Sequence, residues 1–126
     1  MVAETVVEIS DSMTKNAFVE MRTKEGAERS KTFYATWKQD APASLAKLEK
    51  CLEFLKVDDQ VVPGKMTVAD WTMVTIFVKF NCKKFDDVAI LEKEAPRMMK
   101  IVNKIRADKK AGPLIEAARE TSFLPF

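Results

Sequence analysis

Apolar residues recur every three or four positions along most of the chain. Val2, Val6, Ile9, Met13 and Ala17 form one stripe, which predicts a first helix closed by Gly26. A second helical region is expected from Ala27 into the fifties, with Phe33, Tyr34 and Trp37 on its first apolar face. Asp40-Ala41-Pro42 predicts a restart or kink, because proline suits a first turn and disrupts a helix interior. Leu45, Leu48, Cys51, Leu52 and Leu55 then keep helical spacing. Asp58-Asp59 and Pro63-Gly64 mark a loop.

Thr67-Val68-Ala69-Asp70 has the form of a capping box. Thr67 is expected to accept from the Asp70 N–H, and the Asp70 carboxylate to accept from the Thr67 N–H. Met66 and Trp71 flank it as a hydrophobic staple. The helix that follows, with Trp71, Val74, Ile76, Phe77, Val78 and Phe80, is apolar nearly all round, which predicts the centre of a bundle. Asp86-Asp87 breaks the pattern. A short helix is expected over Val88 to Glu94, and another is led by Pro96 with Met98, Ile101, Val102 and Ile105 facing inward. Gly112-Pro113 reads as a further break before a last helix from Leu114 to Glu120. No segment alternates with period two, so no sheet is expected. The fold class is all-α, a bundle of about five to seven helices over one domain, residues 1–126.

Composition narrows the chemistry. With 47% apolar residues, the 126-residue chain can bury a core without metal or disulfide. Its 21 basic and 19 acidic residues nearly balance, so no strong pull on nucleic acid or anionic lipid is expected. The absence of histidine removes the usual neutral-pH general base and the commonest metal ligand. Cys51 and Cys82 lack CxxC spacing and read as reduced core thiols, which implies a cytoplasmic or other reducing compartment. No basic stretch precedes an apolar run at Met1–Glu4, so no secretory leader is expected. Val68 to Val78 is far too short for a membrane span.

The order of these features resembles the C-terminal helical domain of cytosolic glutathione S-transferases, sigma-like members in particular. Val61-Val62-Pro63-Gly64-Lys65-Met66-Thr67-Val68-Ala69-Asp70 is similar to the family stretch that opens the buried central helix. Pro42-Ala43-Ser44-Leu45-Ala46-Lys47-Leu48-Glu49 resembles the motif of the preceding helix, and Ala95-Pro96-Arg97-Met98 the proline-led helix after the central one. Arg119 and the apolar tail after it are similar to the sigma-class C-terminus. The resemblance spans nearly the whole chain. It implies that glutathione and the catalytic residue belong to an N-terminal thioredoxin-like domain, for which no βαβ pattern is present. Asp11 matches the first of a group of acids that reaches toward the partner subunit's glutathione in sigma-like members, but Thr14 and Lys15 stand where further acids are expected.

No catalytic residue, cofactor or metal is assigned; glutathione enters only if a thioredoxin-like half is supplied. Thr67 and Asp70 are expected to act in folding. Tyr34 reads as core or interface. Met13, Phe18, Met21, Phe33, Trp37, Phe123 and Phe126 read either as core or partner interface, or as a pocket for a hydrophobic small molecule. Arg97, Lys100, Lys104, Arg106, Lys109 and Lys110 form a basic run that reads as a solvated face rather than a nucleic-acid surface, since no aromatic residues interleave for stacking. Three functions remain open: a non-catalytic scaffold that binds a protein partner or a second copy; the helical half of a glutathione transferase; and a passive binder of hydrophobic molecules.

Overall fold

The computed structural model describes residues 2–80 and 88–120, and the side chains of residues 4–79 and 89–120. Six α-helices are present among them: α1 (Val2–Met21), α2 (Ala27–Phe54), α3 (Val68–Phe80), α4 (Val88–Glu94), α5 (Pro96–Arg106) and α6 (Ala111–Arg119). No strand forms among the described residues; the only bridge is an isolated antiparallel pair, Val62 with Lys65. The fold is all-α, as the helical periodicity predicts. The expected break at Asp86-Asp87 and the residues Cys82, Phe123 and Phe126 lie outside the described residues.

The stripe Val6, Ile9, Met13, Ala17 and Met21 is buried and packs α1 along α2. At Pro42 the expected restart does not occur, and α2 runs unbroken through it. A proline in a helix interior removes one backbone bond and costs about 3 kcal/mol. Packing offsets that cost: Trp37, Ala41, Ser44 and Leu45 are all buried around it. Two polar links hold α1 to the same stretch. The Ser12 and Ser44 hydroxyls lie 2.8 Å apart, and the Asn16 amide donates to Asp40 Oδ2 at 3.2 Å.

The end of α2 is a Schellman turn. Val57 N–H donates to the Leu52 carbonyl at 2.9 Å and Lys56 N–H to that of Glu53 at 3.0 Å. Lys56 takes the left-handed conformation, φ 56°. The loop beyond turns at Pro63-Gly64, where Gly64 has φ 78° and Lys65 N–H donates to the Val62 carbonyl at 3.0 Å.

Helix α3 packs against α1, α5 and α6. Met73, Ile76 and Phe77 are fully buried there, beneath Leu91 of α4 and Met98, Ile101 and Val102 of α5 within one core. The last helix begins at Ala111, earlier than the sequence pattern suggests. Gly112 and Pro113 sit in its first turn, where neither disrupts. Gly112 is there because a Cβ would strike the Arg106 carbonyl oxygen of α5. The residue that reads as a helix breaker is a close-approach residue between two helices.

Candidate functional site

Construction of the site begins at Asp70, which is only 1% exposed. Its Oδ2 accepts from Thr67 N–H at 2.8 Å and from the Thr67 hydroxyl at 3.0 Å, and its Oδ1 accepts from Val61 N–H at 3.1 Å. The Thr67 hydroxyl therefore donates to the carboxylate, in place of the expected acceptance from the Asp70 N–H. One short carboxylate ties the first turn of α3 to the loop nine residues upstream. With all three donors aimed at it, the group is satisfied where it is buried.

This anchoring fixes the direction in which the start of α3 points. Val68 is 70% exposed and Trp71 43% exposed, next to Leu114 of α6 at 71%. Trp71, Val74 and Val78 of α3 face Leu114, Ile115 and Ala118 of α6 across a trough of about 580 Å³, with Thr75 and Lys79 completing its wall. A second cleft of about 390 Å³ continues it past Trp71 and Leu114 to Met66, Ala111, Asp108 and Lys110. Met66 and Trp71, the expected staple pair, both line this cleft and both remain exposed. The all-round apolar character of α3 places it in the bundle but does not reveal that one edge stays open. Helical spacing of Val68, Trp71 and Thr75 carries that signal once the buried edge is known.

A different cavity, about 730 Å³, opens along α1 beside Lys79 of α3. It is lined by Glu8, Asp11, Ser12, Thr14, Lys15, Phe18, Val19, Arg22 and Lys79. Asp11 and Lys79 thus meet across it, while Thr14 is buried with its hydroxyl turned back to the Ser10 carbonyl at 3.1 Å. Lys79 lines both cavities, and burial holds its ammonium below the usual lysine range, partly offset by Asp11.

Of the pocket candidates taken from the sequence, Met13, Met21, Phe33 and Trp37 are buried in the core. Phe18 packs edge-on against Phe33 with centroids 5.0 Å apart and lines the cavity along α1 described above. Tyr34 is half-buried and stacks on Trp37 at 5.8 Å. The basic run of α5 meets the paired acids of the α2–α3 loop. Lys100 pairs with Asp58, and Lys104 with Asp59 at 3.1 Å. Arg106 pairs with Glu116 at 3.2 Å and lies over the Phe77 ring. Cys51 is a half-buried free thiol. Among the described residues no group of three His, Cys, Asp or Glu side chains converges as a metal site, and no helix is long and apolar enough to cross a membrane.

No family model, curated protein or solved structure matches this chain.

Proposed function

We propose that this chain is a non-catalytic helical module, similar to the C-terminal domain of glutathione transferases, that assembles with another protein through the α3–α6 face. The observation that carries this reading is the trough itself. Trp71 and Leu114 stand exposed along one apolar trough, and Val68 is exposed one turn before Trp71, although α3 buries Met73, Ile76 and Phe77 on its other side. Contiguous exposed apolar surface on a folded domain marks a place of contact. Trp is also the residue type most enriched at interface hot spots. In the family that the sequence resembles, a largely apolar surface of this domain is covered by a thioredoxin-like domain. Here that surface serves a partner instead. Cys51 as a free thiol fits a reducing, cytoplasmic setting.

The test is the native size of the chain in its own cell extract, compared with that of Leu114→Asp. The expected result is an assembly larger than the chain, from which L114D falls to monomer while keeping its helical circular dichroism. If the unaltered chain elutes alone, the docking reading is wrong. Co-elution with a thioredoxin-like chain, together with glutathione conjugation, would instead make it the helical half of a transferase.

A further inference from the structure

The outward face of α1 carries charges whose sign changes once along the helix. Glu4, Asp11, Lys15 and Arg22 follow one another at helical spacing, so they fall in one row on the side away from the buried stripe, and all four are exposed. Glu8 stands beside the acidic half of that row. Val7 and Phe18 flank the row on one side and Val19 on the other, with both valines exposed. Acids thus come before the level of Met13 and bases after it. Acids early and bases late also suit the helix macrodipole, but that effect fades beyond the terminal turns, and Asp11 and Lys15 stand mid-helix. Among the described residues, Lys15 and Arg22 close no ion pair. Lys79 of α3 borders the same face and attracts Asp11. An exposed carboxylate has two oxygens and can accept from a second ammonium as well.

We propose that this face of α1 pairs with the same face of a second copy of the chain, antiparallel, about a two-fold axis level with Met13. A two-fold contact sets residue i against j and j against i. About that axis, Asp11 of each copy comes level with Lys15 of the other, and Glu4 with Arg22, since each pair is evenly spaced about Met13. Val7 comes level with Phe18 and Val19, so an apolar contact accompanies the charged row at both ends. A parallel copy would set acid on acid and base on base. A uniformly acidic or basic partner would match only half of the row. Exposed ion pairs each contribute little, and one helix face is a small contact. The dimer is therefore weak and forms in concentrated protein, while in dilute extract the separate α3–α6 face sets the size of the assembly.

Sedimentation of the purified full chain from roughly 1 to 500 µM tests the pairing. The mass is expected to rise from one chain to two, with the dissociation constant about tenfold higher in high salt than in low salt. Asp11→Lys and Lys15→Glu each set like charges level with one another. Each should leave the chain monomeric, with its helical circular dichroism unchanged. Mixed in equal amounts, the two variants should form a mixed dimer, because D11K offers two lysines to the two acids of K15E. Leu114→Asp should dimerise as the unaltered chain does. A chain that stays monomeric at every concentration overturns the pairing, as does a dimer that survives both reversals or a mixture that stays monomeric. A dimer lost in L114D but kept in D11K overturns it by placing the contact on the α3–α6 face instead.

Discussion

Glu49 of α2 caps a helix that begins 47 residues later: its Oε1 accepts the Arg97 N–H at 2.6 Å. Helix α5 gains from this bond, because its own N-cap is Ala95, whose methyl side chain cannot accept a hydrogen bond. The contact is costly for the carboxylate. Burial raises the Glu49 pKa, against the lowering effects of the Arg97 and Met98 N–H groups and the Arg97 charge. Oε2 has no hydrogen-bond partner among the described residues.

Two variants separate these effects. Glu49→Ala loses the cap and should cost about 1 kcal/mol in denaturant unfolding. Glu49→Gln keeps the acceptor and discards the buried charge, so it should be neutral or slightly stabilising at pH 7. The pH dependence follows from the direction of the shift. A carboxyl whose folded pKa is raised binds its proton better when folded. Its stabilising effect is present below the ordinary glutamate value of 4.5 and is lost as pH rises through the raised value. E49Q should therefore gain relative to the native chain on going from pH 4 to pH 7. No change in that difference would show that the charge carries no cost.

Asp70 offers a graded test of the α3 anchor. Asp70→Ala strands three donors, one of them nine residues upstream at Val61, and should cost about 3 kcal/mol. Asp70→Asn sets an amide N–H₂ against a donor and should fall between. Thr67→Ala removes only the hydroxyl bond and should cost about 1 kcal/mol. An equal loss in all three would mean that the loop is not tied to the helix through this carboxylate.

Lys56 is strained where glycine is usual. It occupies the left-handed position of the α2 Schellman turn, and the turn's bonds are otherwise complete. Lys56→Gly should raise stability by about 1 kcal/mol, read as an upward shift in thermal midpoint. A fall would contradict the strained assignment.

Gly112 should tolerate no side chain. A Cβ there meets the backbone carbonyl of Arg106, which no rotamer change can relieve. Gly112→Ala should cost about 2 kcal/mol and loosen α6, even though alanine is the better helix former.

Much of the fold is legible in the sequence, and the exceptions have physical reasons. The α1 stripe, the loop at Pro63-Gly64 and the inward face of α5 follow from local spacing and turn chemistry. Pro42 and Gly112 do not behave as their local chemistry suggests. At Pro42, burial of Trp37, Ala41 and Leu45 against α1 outweighs one lost backbone bond. At Gly112, the decisive neighbour is on another helix. Asp58-Asp59 reads as turn residues, yet the two acids also meet Lys100 and Lys104, a pairing across 42 and 45 positions that no local pattern encodes.

Helix periods, turn residues and the charge balance are local properties, so the sequence by itself determined the all-α class and most helix boundaries, though not the unbroken passage of α2 through Pro42. Which edge of α3 stays open was decided only by packing. An apolar helix is equally willing to be covered on every side, and the hydrophobic effect carries no direction along the chain. The tertiary structure breaks that symmetry: α1 and α5 cover part of the α3 surface, Asp70 fixes how its first turn leaves the loop, and α6 stops beside it. Val68, Trp71 and Leu114 are left facing solvent together for that reason.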